Sequence, residues 1–307
     1  MNITNFFVRR AIYSAIMLVA LSILIFLMIH VTGDPLALLA PLDAKPEDFA
    51  TIRKLYGLDQ PIYIQYAQFV KEALKGNLGV SYQYNQPTLH LVLSRLPATL
   101  TLAFAAIIIA CIIAIPLGSI AAIWKGKPIE KASLVGSLLG ISIPSFWLGI
   151  LLILVFSEWL RWFPASGRGG LSHVVLPAMS LAVSNIGLIV RLVHSNMEEV
   201  LTQDYIVTAR AKGLKPSKIY FIHALKNSLA PTVNIVGLQF GTLLGGSVVI
   251  ETVFAWPGVG WLLYQSVINR DLPLTRTIAF MMAIFFIIIN LWVDLSCKFL
   301  DPRIKLE

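Results

Sequence analysis

Uncharged apolar runs recur along this chain at the length a membrane imposes on a helix. Crossing a hydrocarbon core of about 30 Å takes roughly 20 helical residues. Six stretches meet that measure: residues 11–31, 98–123, 132–157, 174–190, 229–250 and 277–293. The fourth and sixth are short, but Arg191 and Arg276 stand at their edges, where a long cationic side chain reaches the interface while its stem extends the apolar span. The first run follows Arg9 and Arg10 and outlasts the apolar core of a signal peptide, about 7–15 residues. With no small-x-small site behind it, it reads as an uncleaved helix.

Composition narrows the class. With 57% hydrophobic and 13% charged residues and a mean hydropathy of +0.78, the chain lies far from soluble domains, which are about a quarter charged. The same figures exclude disorder, and two cysteines cannot form a disulfide scaffold. Cys111 and Cys297 sit in separate apolar segments without ligand spacing and read as inert thiols. The fold class is therefore an all-α polytopic membrane protein with six transmembrane helices.

Charge sets its orientation. A cytoplasmic N-terminus puts fourteen basic residues inside (Arg9, Arg10, Lys125, Lys127, Lys131, Arg191, Arg210, Lys212, Lys215, Lys218, Lys226, Lys298, Arg303, Lys305). The short outside loops then hold four, Arg161, Arg168, Arg270 and Arg276. Residues 32–97 carry six basic and six acidic residues, and segments of that length translocate regardless of charge. Both termini are expected in the cytoplasm, and the net charge of +8 needs no nucleic acid to explain it. The organisation expected is residues 1–31 as N-terminus and first helix, 32–97 as an external subdomain, and 98–307 as a five-helix core with a cytoplasmic loop at 195–228. Within the subdomain, Gly33-Asp34-Pro35 reads as a turn and Ile62–Leu74 as an amphipathic helix.

No constellation for catalysis appears. There is no GxxxxGK[ST] phosphate loop, no HExxH and no GxSxG, and His30, His90, His173, His194 and His223 lie in different segments. No catalytic residue and no metal site is assigned, and ATP hydrolysis is not expected of this chain. Ionisable residues occur only at the edges of the spans (Arg191, Glu251, Asp294), which argues against a proton pump or a voltage sensor. Ser142, Ser145, Asn185, Asn234 and Gln239 either make interhelical hydrogen bonds or line a path. Gly237, Gly241 and Gly245 form two overlapping GxxxG steps, a flat stripe for packing within the chain or against a partner. Pro144, beside Ser142 and Ser145, marks a bend in the third run. In the last outside loop, Trp256-Pro257-Gly258 turns the chain and Trp261 opens an apolar segment. Trp256, Pro257 and Trp261 read either as an aromatic belt or as an external gate.

The cytoplasmic stretch 203–217 is the most informative. Asp204 reads as an N-cap, Gly213 as a left-handed C′ residue, and Pro216-Ser217 as the restart of a second helix through Ile219, Ile222 and Leu225. This predicts a helix-turn-helix in which Ala209, Ala211 and Gly213 leave room for a partner's side chains and Arg210 and Lys212 supply charge. The alternative is a plain basic loop, which requires neither small residues nor caps in that order.

Here the chain resembles the permease subunits of binding-protein-dependent ABC importers, in the dipeptide, oligopeptide and nickel permease family. That family's form of the EAA loop, Tyr-x-x-Thr-Ala-Arg-Ala-Lys-Gly-Leu, matches Tyr205, Thr208, Ala209, Arg210, Ala211, Lys212, Gly213 and Leu214. The general importer consensus has Glu-Ala-Ala where this chain has Val207, Thr208 and Ala209, so the Glu contact does not carry over. His223-Ala224-Leu225-Lys226-Asn227 stands where that consensus ends in Ile-x-Leu-Pro, with the proline displaced to Pro231. The likeness extends to Gly33-Asp34-Pro35, Tyr56-Gly57-Leu58-Asp59-Gln60-Pro61, Gly76-Asn77-Leu78-Gly79, residues 237–260 and Leu300-Asp301-Pro302-Arg303.

The resemblance implies a type I importer-like permease of the first of two permease types, in the inner membrane of a prokaryotic cell. It implies a second homologous permease, two ATP-binding subunits that bind ATP and magnesium, an external substrate-binding protein, and no cofactor in this chain. Residues 205–214 would dock on the ATPase. Small peptides are the expected cargo, with nickel, glutathione and metal-chelator complexes as alternatives. A passive channel is the rival reading, and it leaves the capped helix pair without a purpose.

Overall fold

The computed structural model describes residues 3–32 and 59–300. The expected turn at Gly33-Asp34-Pro35, the Tyr56-Gly57-Leu58 element and Asp301-Pro302-Arg303 lie outside the described residues. Those described are helical apart from turns and one isolated antiparallel bridge between Val80 and Pro87. In order, the helices are α1 (Ile3–Thr32), α2 (Ile62–Leu74), α3 (Thr88–Ile123), α4 (Pro128–Ser142), α5 (Ser145–Leu152), α6 (Leu171–Leu201), α7 (Asp204–Ala211), α8 (Leu225–Gly246), α9 (Val248–Val253), α10 (Val259–Ile268) and α11 (Leu272–Leu300).

Four of these, α1, α3, α6 and α11, are long and apolar enough to cross a membrane, and the α4–α5 pair makes a fifth if counted as one span. That pair is bent by 97°. Its cause is Pro144, which has no N–H to continue α4 and instead caps α5 at φ −60° and ψ 130°, with Ile143 extended before it. The expected fifth run is helical over α8, but Asn227, Thr232, Asn234, Gln239 and Thr242 dilute its apolar character below that measure. The second run begins earlier than expected. Helix α3 starts at Thr88, whose backbone N–H and hydroxyl both donate to the Gly79 carbonyl, and it carries Pro97 inside it.

The described residues fall into two compact units. The first draws on Met1–Pro97 and Trp261–Ile287. In it Phe26 of α1 meets Tyr66 edge-on and stacks with Phe69 of α2, and the Ser22 and Tyr66 hydroxyls lie 2.8 Å apart. Buried Asp271 caps α11 by accepting from the Leu274 N–H. Its other oxygen accepts from the Ser81 hydroxyl at 2.5 Å and the Gln83 N–H at 3.2 Å, which ties the segment before α3 to the start of α11.

The second unit draws on Ala98–Gly260 and Ile288–Glu307 and is organised around α6, against which α4, α5, α8 and α9 pack. Small residues bring these helices close. Ala110 and Ala114 of α3 pack on Ala182, Ile189, Val190 and Val193 of α6. A Cβ on Gly118 would lie 2.7 Å from the Val190 carbonyl oxygen, and one on Gly187 would overlap the Ser137 carbonyl of α4. Because lipid tails are as apolar as the side chains, this contact rather than water exclusion holds such helices together.

Gly187→Ala should therefore destabilise the protein by about 1–3 kcal/mol, since a backbone carbonyl cannot rotate away as a side chain can. Gly136→Ala, which meets open space, should be neutral or slightly stabilising. The unfolding midpoints of the two variants in mild detergent check this pair.

Candidate functional site

Helix α7 and the turn after it form a self-contained hairpin. Gly213 adopts φ +72°, the Gly213 N–H donates to the Arg210 carbonyl at 2.9 Å and the Leu214 N–H reaches back to the Ala209 carbonyl at 3.3 Å. This is the left-handed helix end that glycine makes without steric cost. Pro216 then occupies the first turn of a short helical segment, Pro216–Lys218, which runs through a π-helical stretch, Ile219–Ala224, into α8. The N-cap differs from expectation. Gln203 holds the extended capping position, and Asp204 is the first helical residue, where its charge faces the helix dipole instead of capping an N–H.

The hairpin has an inner and an outer face. Ile206 and Ala209 are buried with Met197 of α6, Ala122 of α3, and Ile219 and Ala224. Ala209 is thus small because it lies between α7 and its own chain, not because it makes room on the outer surface. Exposed on the outer face are Tyr205, Val207, Thr208, Arg210, Ala211, Lys212 and Gly213, with Leu214 half-buried. The Asn227 side-chain amide donates to the Tyr205 hydroxyl at 2.9 Å, joining α7 to α8. Nearby, the His194 ring lies 2.9 Å from the Glu130 carboxylate, and Lys125 pairs with Glu198, so the loop between α3 and α4 is fastened to the same end of α6. The hydrogen bond to Glu198 raises the Lys125 pKa above its ordinary value. These pairs join residues far apart in sequence, and no spacing signalled them.

Among the polar residues of the spans, Asn185 is buried and its side-chain oxygen accepts from the Gln239 amide at 3.1 Å, an interhelical bond between α6 and α8. Ser142 is exposed and donates to the Leu138 carbonyl, while Ser145 and Asn234 are half-buried. The glycine stripe divides. Gly237 is packed against Val293 of α11, Gly241 is buried, and Gly245 is exposed with open space at its Cβ position.

The turn after α9 is built tightly. Ala255 takes φ +46°, Trp256 is buried, and its indole N–H donates to the Ala98 carbonyl at 3.0 Å. A belt tryptophan would sit at the headgroups; Trp256 instead lies inside the protein, with the Arg168 guanidinium 6.0 Å from its ring centre. Pro257 is half-buried beside it, and Trp261 is half-buried in α10. Among the described residues no group of three or more His, Cys, Asp or Glu is placed to hold a metal.

Comparison with known proteins agrees with this arrangement. Residues 114–306 match the family described as binding-protein-dependent transport system inner membrane component, and residues 3–103 match the N-terminal region of such membrane components. The glutathione transport system permease protein GsiC of Escherichia coli K12 is 37% identical over 302 residues, covering 98% of this chain and 99% of that protein. Its counterpart in Salmonella choleraesuis is 35% identical over the same length. Among solved structures, the MetNI methionine ABC transporter in inward-facing conformations aligns over 68% of this chain and 96% of its own, with a TM-score of 0.60 at 21% identity, a likeness of fold.

Gly213→Val should strain the hairpin by about 1 kcal/mol or more, because a β-branched residue resists the left-handed region. The expected result is faster tryptic cleavage after Arg210 and Lys212, both exposed, with the global unfolding midpoint nearly unchanged. Equal cleavage rates in the two proteins would contradict this account of the turn.

Proposed function

The chain belongs to the family of binding-protein-dependent transport system inner membrane components, and from that membership we propose that it is one of two permeases in an ATP-driven importer of small peptides or related solutes. The family is one of transport permeases, not enzymes, and its partners are ATPase and binding-protein components. In this reading six spans cross the inner membrane with both termini in the cytoplasm, a second homologous permease completes the path, and two partner subunits bind ATP and magnesium. An external binding protein delivers the cargo. The relatives' name points to glutathione, a tripeptide, within the peptide-like class; nickel and metal-chelator complexes are the other candidates.

The observation that carries the proposal is the two-faced hairpin at α7. Its outer face offers Thr208, Arg210, Ala211 and Lys212 to a docking groove, while its inner face is packed on the ends of α3 and α6 and on the start of α8. Closure of the ATPase pair would displace α7, and because Ile206 and Ala209 share one core with Ala122, Met197 and Ile219, the three helices follow it. The spans then exchange between inward-open and outward-open states about a central path.

The test is uptake by the complete complex in proteoliposomes. Uptake should require ATP inside the compartment that α7 faces and should stop when ATP is removed. Flux continuing down a gradient without ATP would make the chain a passive facilitator. Ala211→Glu, on the exposed face, should assemble at normal levels yet lose both uptake and the stimulation of ATP hydrolysis by loaded binding protein. Ala209→Glu should instead fail to assemble, because it buries an unpaired charge.

A further inference from the structure

Glu251 is fully buried at the end of the fifth apolar run, and its surroundings are polar by construction. One carboxylate oxygen, Oε1, accepts from the Thr99 hydroxyl at 2.8 Å and from the Ser247 hydroxyl at 3.0 Å. The same Thr99 oxygen accepts from the Val259 N–H at 2.8 Å. Thr99 thus relays a bond from the backbone of the turn to the carboxylate, a chain in which each link polarises the next. Gly258 and Gly260 lie so close to the carboxylate that a Cβ on Gly258 would overlap it, and one on Gly260 would stand 3.0 Å from Oε2. The Trp256 N–H donates to the Glu251 carbonyl at 2.7 Å, and its indole holds Ala98. The whole turn is therefore fastened to two neighbouring residues of α3, Ala98 and Thr99, and to Glu251.

We propose that Thr99 and Glu251 form a clasp that holds the Trp256-Pro257-Gly258 turn shut against α3, and that the turn opens by releasing it; the assignment of this turn to the outward gate rests on the permease reading above. A turn that had only to stay in place would be served as well by apolar packing, since a buried carboxyl group costs desolvation that a hydrophobic side chain does not. A carboxylate held by hydroxyls serves an element with two states. Closed, it is satisfied by Thr99 and Ser247; opened, it recovers its hydration, which keeps the states near enough in free energy for a ligand or partner to shift between them.

The test uses Val259→Cys, a smaller side chain at a fully buried site, in the complete transporter with Cys111 and Cys297 replaced. Labelling by a small thiol reagent is followed in broken membranes, where both faces are reached and the outcome does not depend on orientation. Thr99→Val keeps the shape but removes the hydroxyl, and it should speed labelling about tenfold, as the loss of roughly 1.4 kcal/mol of hydrogen bonding would. Thr99→Ser should label like the parent. Ser247→Ala should shift labelling in the same direction as Thr99→Val, and it decides the matter if the valine variant does not accumulate. Labelling of the valine or alanine variant at the parent rate, or of Thr99→Ser as fast as Thr99→Val, would overturn the clasp. Uptake that persists without ATP while Thr99→Val still labels faster would remove the importer reading and leave the clasp standing.

Discussion

Close contact between helix backbones at α6 is the constraint on which the second unit depends. With no difference in hydrophobicity between lipid and side chain to drive helices together, their association rests on how near they can come. Gly187 admits the Ser137 carbonyl of α4, Gly118 admits Val190 and Val193, and Gly140 admits the Val183 carbonyl. Helix α6 carries that packing beyond the apolar segment to Met197, where α7 and the start of α8 join the same core. The hairpin is thereby packed into the same core as the ends of α3 and α6.

Polar groups in this unit are paired across elements. Asn185 with Gln239, Glu130 with His194, Tyr205 with Asn227, and Glu251 with Thr99 each join different helical segments, and Ser247 adds a local bond to Glu251. Such bonds fix one arrangement by direction and can be exchanged for water where an interface opens, whereas packed apolar surfaces hold by contact alone.

Features set by local backbone chemistry were legible in the sequence. Ile62–Leu74 forms the helix its periodicity predicts, Pro144 breaks the third run, Gly213 takes the left-handed conformation, and Pro216 restarts the chain as a helix. What depended on tertiary partners was not legible. Ala209 in sequence is merely small, and only Met197 and Ile219 opposite it turn it inward. Asp204 resembles a cap until Gln203 takes the extended position. The second apolar run begins at residue 98, yet Thr88 begins α3 ten residues earlier by bonding to Gly79. Glu251 stood out as an ionisable residue at the edge of a span, but its partners Thr99 and Ser247 carry no motif.

The central claim is that the outer face of α7 is where the ATP-driven partner docks, and cross-linking in the assembled complex tests it most directly. Single cysteines at Val207, Ala211 and Lys212, all exposed, would be treated with a short bifunctional thiol reagent in native membranes, with exposed Lys75 beyond α2 as the control. The account predicts a covalent adduct with the ATP-binding subunit from each α7 position and none from Lys75. Adducts from Lys75, or the absence of any from all three α7 positions in a complex that still transports, would contradict it.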